Sequence, residues 1–320
     1  MGLTGADAEP CAVAVVGAGR MSREHIRAFA SVPGVTVAGI HSRSRPRAEA
    51  LASELGVPLV ADSVPELYEK TRARLVVVTV FETAMRDVAL ACFEQPWTVL
   101  LEKPPGLSVD EAVAIRDRAG RLGRDVRVGL NRQYLSSTQH VLNGLSERPG
   151  PRFVKVQDQQ SLATAKAIGH PPEVVRGWMY ANSIHLVDYF RLFARGRPVA
   201  VEAVVPWRSD EPSVVVTRIG FDSGDLGLYE AIWHGPGPWA ATVTVPGHRW
   251  ELRPLEQCTA QPLGEPATTV PLHEWDKEWK PGFRLQAERA VAAALGLASD
   301  VPSLDEALRT MRLISALYPQ

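Results

Sequence analysis

The chain has 320 residues, 45% of them hydrophobic and 22% charged, with 35 basic side chains against 36 acidic ones. That length favours two domains of ordinary size with a normal core, and the composition excludes intrinsic disorder. A formal net charge of −1 supplies no basic field for nucleic acid or an anionic membrane, and no run reaches the ~20 apolar residues of a membrane span.

In chain order, residues 12–16, 35–40, 75–80, 98–101 and 126–130 are nearly unbroken Val- and Ile-rich runs. They read as parallel strands covered on both faces. Between them, residues 23–31, 45–55, 64–71, 86–94 and 109–122 carry apolar side chains at helical spacing. Such alternation predicts right-handed crossovers and a doubly wound sheet. Beyond residue 134 the character changes. A helix is expected over 137–146, ending at the breaker cluster 147–151. Residues 153–159 alternate as a half-buried strand. A long loop through Gly169-His170-Pro171-Pro172 leads to a helix over 179–194. Segments 199–207, 214–221, 226–233, 240–245 and 250–255 read as an antiparallel meander, and helices over 283–295 and 304–317 close the chain. The expected fold class is α/β. It pairs a doubly wound dinucleotide-binding domain, 1–134, with an α+β domain, 135–320, built on an open, mostly antiparallel sheet. Residues 1–10 lack the basic and apolar regions of a signal peptide and read as an unstructured leader. Cys11, Cys92 and Cys258 are far apart in no metal-ligand spacing. A sparse, odd count fits a reducing, cytoplasmic setting.

The first strand runs directly into Gly17-Ala18-Gly19-Arg20-Met21-Ser22 and then a helix. Two glycines there suit a tight turn that brings backbone N–H groups to a pyrophosphate at a helix N-terminus, the Rossmann fingerprint. Ser22 stands in the third glycine position, where a small residue still allows close packing. The second strand ends His41-Ser42-Arg43-Ser44-Arg45, without the Asp or Glu that holds the ribose 2′-hydroxyl of NAD. Ser42, Arg43 and Arg45 suit a 2′-phosphate instead, which favours NADP(H) over NAD(H).

The fifth strand ends Leu101-Glu102-Lys103-Pro104. With the glycine turn, Asn131-Arg132, the stretch Asn182-Ser183-Ile184-His185-Leu186-Val187-Asp188 and Gly282-Phe283-Arg284-Leu285-Gln286, it resembles the Gfo/Idh/MocA oxidoreductase family over nearly the whole chain. The resemblance implies a second domain for substrate binding and oligomerisation, with helices on one face of its sheet and the active site between the domains. It implies that Lys103 contacts the nicotinamide ribose and the substrate, that Glu102 supports the strand end, and that His185 faces the substrate carbinol as general acid/base. The resemblance implies a sugar, nucleotide-sugar or cyclitol as substrate, used with the NADP(H) that Ser42, Arg43 and Arg45 favour.

The residues ask for the same chemistry. Hydride transfer at a carbon bearing oxygen needs a proton to move at that oxygen, and a placed His or Lys can move it. Lys103 lies at a strand's carboxyl end, where doubly wound sheets bind ligands. With six lysines against 29 arginines, a lysine at this point reads as a titratable amine rather than a default cation. Asn182, His185 and Asp188 are spaced to share one face of the 179–194 helix; by spacing alone, His185 paired with Asp188 is a packing residue. Trp178, Tyr134 and Arg132 are further candidates to line a substrate pocket, and Thr79 to meet the cofactor. His170, His234, His248 and His273 are assigned no role, and no spacing implies a metal. Two features depart from the family: Ala181 where an acid often precedes the histidine by four, and Val80-Phe81 where Pro-Asn often follows the fourth strand. Ala181 keeps open a non-catalytic sensor, and a cofactor-retaining glycosidase-type reaction is the other alternative within the family. An uncovered sheet face makes a homo-oligomer, dimer or tetramer, the expected assembly.

Overall fold

The computed structural model describes residues 10–319, and the chain divides into two compact units. One runs to Asn131 and takes in Trp275–Leu308; the other is Arg132–Glu274 with the residues from Arg309 on. The expected leader falls, but for Pro10, outside the described residues.

In the first unit the order is β1 (Cys11–Val16), α1 (Arg20–Ala30), β2 (Val35–His41), α2 (Arg45–Leu55), β3 (Val60–Ala61), α3 (Val64–Thr71), β4 (Leu75–Val78), α4 (Met85–Phe93), β5 (Thr98–Glu102), α5 (Val109–Arg121) and β6 (Val126–Gly129). Among the described residues these six strands form one parallel sheet in the order β3-β2-β1-β4-β5-β6. Leu75, Val76, Val77 and Val78 are all fully buried, as a central strand covered on both faces requires. The order reverses between β1 and β4, the switch point beside which ligands bind. Ser63 and Ser108 cap α3 and α5, each hydroxyl accepting the N–H of a glutamate three residues on.

The second unit holds α6 (Ser136–Ser146), β7 (Phe153–Gln160), α7 (Leu162–Ala167), α8 (Pro172–Arg176), a π-wound turn (Met179–Ser183), α9 (Ile184–Phe193), and strands β8 (Pro198–Val205), β9 (Val214–Phe221), β10 (Leu226–Trp233), β11 (Ala240–Val245), β12 (His248–Leu252), β13 (Cys258–Pro262) and β14 (Thr268–Val270). Among the described residues its sheet has the order β14-β13-β12-β11-β7-β10-β9-β8. The expected meander is therefore interrupted. Strand β7, which precedes the others, inserts between β10 and β11, parallel to the first and antiparallel to the second. Its buried residues Val154, Val156, Asp158 and Gln160 alternate with half-buried or exposed ones, and α9 packs on it. The expected loop at Gly169–Pro172 is flanked by the short helices α7 and α8, and the expected helix 179–194 is regular only from Ile184 on.

The chain closes with α10 (Trp275–Glu278), α11 (Phe283–Ala294) and α12 (Leu304–Leu317). A single division after residue 134 places α11 with the later residues, whereas α11 packs on α1, β4 and β5 of the first unit. Phe283 tilts against His25, ring centroids 4.8 Å apart, and Arg284 pairs with Glu288 at 3.2 Å along the same helix.

Candidate active site

Gly17 closes β1 with φ +122°, and a Cβ there would stand 2.6 Å from both the carbonyl and the hydroxyl oxygen of Thr79. Only glycine fits this approach. Its N–H donates to the His41 carbonyl at 2.8 Å, tying the turn to the tip of β2. Ser22 is fully buried; its hydroxyl accepts the Gly19 N–H at 3.0 Å and shares a hydrogen bond with the Thr79 hydroxyl at 2.7 Å. The serine in the third glycine position thus pins the turn to β4. Gly19 caps α1, and a Cβ there would point into open space. A pocket of about 440 Å³ opens at this point, lined by Ala18, Gly19, Arg20, Arg23 and Arg47 among others. The open helix N-terminus with Arg20 and Arg47 fits a dinucleotide's phosphates, while Arg23 pairs with Glu54, which also lines the pocket. Met21, one residue into α1, places its sulfur 3.3 Å from the Lys280 amine.

At the β2 tip, Ser42 accepts the Ser44 N–H at 3.3 Å and Arg43 is exposed. Arg45 is committed elsewhere: it binds Glu49 at 2.8 Å and also Asp62. Arg47, which the sequence reading passed over, lies in the pocket while Arg45 is engaged with acids.

Strand β5 delivers Glu102 and Lys103. Glu102 is 8% exposed, and the ring of His25, 1% exposed, reaches its carboxylate at 2.7 Å. Burial pushes this carboxyl up, but the hydrogen bond and charge of His25, with the charge and backbone N–H of Lys103, outweigh it and hold the group below its ordinary range. The Lys103 N–H donates to the other carboxylate oxygen at 3.1 Å. His25 has no motif to announce it; its one signal is that it lies three residues past Ser22, on the buried side of α1.

In the second unit, His185 opens α9, 9% exposed, with the Trp239 ring centroid 6.2 Å from its own. Arg132 pairs with Glu256 at 2.7 Å and lies over the Trp239 ring. Tyr134 is buried at 1% exposure. Asn182 belongs to the π-wound turn, so it does not continue the regular face of His185 and Asp188. Its amide donates to the Gln160 side-chain oxygen at 2.8 Å, and the Trp178 indole N–H donates to the same oxygen at 2.8 Å. Asp188 binds Arg191 through both oxygens, at 2.7 and 2.8 Å, and accepts the Thr310 hydroxyl at 2.7 Å. Beneath them, Gln160 donates to Asp158 at 2.5 Å and Tyr229 donates to the same carboxyl at 2.6 Å. Burial pushes the Asp158 carboxyl up against these hydrogen bonds.

Residues 11–130 match the oxidoreductase family with an NAD-binding Rossmann fold, Gfo/Idh/MocA. Over 280 residues the chain is 30% identical to an inositol 2-dehydrogenase of Mycolicibacterium gilvum, covering 76% of this chain and 78% of that one. The chain belongs to the Gfo/Idh/MocA family. A glucose-6-phosphate 3-dehydrogenase of Bacillus subtilis is 27% identical over 124 residues, 39% of this chain. That match spans about a third of the enzyme's own length, 35%. The fold of a dehydrogenase from Chromobacterium violaceum superposes with a TM-score of 0.80 at 17% identity, covering 97% of this chain and 94% of that one. Within this family fold, the glycine turn and the Glu102-Lys103 strand end both fall in the matched segment. Among the described residues no helix is long and apolar enough to cross a membrane, and no cluster of three or more His, Cys, Asp or Glu side chains is placed to hold a metal ion.

Proposed function

We propose that the protein transfers a hydride between NADP(H) and a secondary alcohol or ketone of a sugar, nucleotide-sugar or cyclitol. One observation carries the reading. Strands β1, β4 and β5 are parallel neighbours, so the glycine turn, Thr79 and Lys103 emerge at the same edge of one sheet, beside its switch point. The bound nicotinamide supplies the hydride acceptor or donor. Lys103 holds the ribose and the substrate oxygen, Glu102 and His25 fix the strand end that carries it, and His185 moves the proton at the substrate oxygen. Arg132, Trp178 and Asn182 orient the substrate; Tyr134, 1% exposed, stays out of contact with it. Inositol and glucose 6-phosphate, named in the relatives, both carry ring secondary alcohols, which supports the substrate class.

The 2′-phosphate of NADP is assigned to Ser42 and Arg43, with Arg47 lining the neighbouring pocket, while Arg45 offsets the charge of the nearby Glu49 and Asp62. The three cysteines are free and buried, which supports a reducing cytoplasm. Edge strand β8 exposes Val199, Val204 and Val205, and Val214 at the start of β9 is exposed as well. An apolar edge of this kind supports assembly into a homo-oligomer.

A screen of sugars, cyclitols and keto-sugars with NADP(H), read as absorbance of the reduced nicotinamide, tests the reading. Net formation or loss of NADPH supports it. Bond cleavage without net nicotinamide change would replace it with a cofactor-retaining reaction, and tight cofactor binding without any turnover would replace it with a sensor.

A further inference from the structure

A second and larger pocket, about 730 Å³, lies wholly in the second unit, with Lys166, His170, Arg176, Trp178, Trp207 and Trp233 in its wall. Its volume is in the upper part of the range, roughly 300–1,000 Å³, that takes drug-sized ligands, more than a lone six-membered polyol fills. Three of the chain's eight tryptophans line it. Their rings are fixed in place. The Trp178 indole is hydrogen-bonded to Gln160 and meets His170 edge-on at 4.9 Å. Trp207 and Trp233 pack at 4.8 Å, each with its edge or face on Tyr318, at 5.1 and 5.8 Å. None of the lining residues is acidic. Lys166 and Arg176 are exposed at its mouth, and among the described residues neither is in an ion pair. A rigid aromatic wall beside two cations matches a planar ring joined to an anion.

We propose that this pocket is a subsite for a nucleoside phosphate: the base lies on the tryptophan wall and the phosphates meet Lys166 and Arg176. Trp178 and Met179, both in the wall, lead through the π-wound turn to His185. The nucleotide is then the handle of a substrate whose ring reacts at His185, a role that rests on the dehydrogenase reading. A phosphorylated sugar without a base leaves the aromatic wall unused. A cationic sugar is repelled by Lys166 and Arg176.

The test is calorimetric titration of uridine diphosphate, inorganic pyrophosphate and glucose 6-phosphate into the full chain saturated with NADP⁺, so that the cofactor site is filled. Uridine diphosphate is expected to bind at least about tenfold more tightly than the other two. Arg176→Glu and Trp207→Ala are each expected to weaken it by about tenfold or more, with NADP⁺ affinity unchanged. Absence of uridine diphosphate binding, equal binding of pyrophosphate, or indifference to both substitutions overturns the proposal. Circular dichroism of the variants confirms that they are folded, and Lys166→Glu, on a separate exposed helix, repeats the charge test should either fail to fold. The NADP⁺ titration reads the dehydrogenase proposal separately: binding of NADP⁺ without uridine diphosphate removes only the pocket, and the reverse removes only the hydride-transfer reading.

Discussion

His25 and Glu102 meet at 2.7 Å inside the first unit, joining the helix that follows the glycine turn to the strand end that carries Lys103. Both are almost fully buried, so each is the other's main compensation for lost water. The carboxyl is held below its ordinary range although burial, the largest influence, raises it, because His25 and Lys103 together outweigh that effect. A depressed carboxyl contributes stability above the unfolded value of about 4.3 and loses it as pH falls through the lower folded value.

His25→Ala removes the larger opposing partner and leaves a buried charge. Urea unfolding at pH 7 is expected to show a loss of about 3–5 kcal/mol, and the deficit is expected to shrink as pH falls, because protonating Glu102 relieves its unpaired buried charge. His25→Ala/Glu102→Gln is expected to recover part of the loss, since the charge is gone. Equal stability of His25→Ala and the parent would mean that the pair contributes nothing to the fold.

Lys103 is tested through the split between kcat and cofactor affinity. Lys103→Met is expected to lower kcat about 10²-fold or more, the scale of general acid–base catalysis, while NADPH affinity changes far less, because the glycine turn and the β2 tip remain. Unchanged kcat on a true substrate would leave Lys103 as a strand end only.

The first unit was legible up to residue 131 because its strands are continuous apolar runs and its helices carry a clear period; β3, two residues long, is too short to show one, and the return of α11 to this unit rests on long-range packing. The second unit hid more. Whether residues 153–160 sit at an edge or between β10 and β11 depends on pairing partners far along the chain, which local alternation does not encode. Asn182 of the π-wound turn bonds to Gln160, 22 residues earlier, a partner that local spacing does not announce. In the site, Glu102 and Lys103 could be placed by position, but His25 could not, because a histidine on an amphipathic helix reads alike whether or not it meets a carboxylate. Arg45 shows the opposite lesson: Glu49, one turn on, was visible as a competitor for its charge, and Asp62 adds to it.

That competition sharpens the cofactor prediction. Arg43→Ala is expected to lower the preference for NADPH over NADH by about tenfold or more, the scale of one charge-assisted hydrogen bond. Arg45→Ala is expected to change it much less, because its guanidinium already serves Glu49 and Asp62. Calorimetry with both cofactors checks this, and NADH binding as tightly as NADPH to the parent would overturn the assignment.

The last prediction concerns the π-wound turn before His185. An indole N–H only donates, so the Gln160 atom facing Trp178 is its oxygen, and its amide nitrogen faces Asp158. Gln160 is therefore a positioning residue: it fixes Trp178 and Asn182 through one oxygen and rests on a buried carboxyl through its nitrogen. Asn182→Ala removes one donor and leaves the Trp178 bond, so a small loss of kcat is expected. Gln160→Leu strands both donors and takes a hydrogen bond from Asp158, which costs about 1–3 kcal/mol for each unsatisfied group. Its KM is expected to rise together with a fall in kcat, and Gln160→Asn, which keeps the amide one carbon shorter, is expected to recover only part of the activity. His185→Ala is expected to lose about 10²-fold or more in kcat while keeping the parent's stability within about 1 kcal/mol, the pattern of a proton donor rather than a packing residue. The measurement is a kcat and KM comparison of the four variants at several pH values. If His185→Ala keeps near-full activity, or loses no more than Asn182→Ala, the proton moves through another group and the histidine serves only to pack against Trp239.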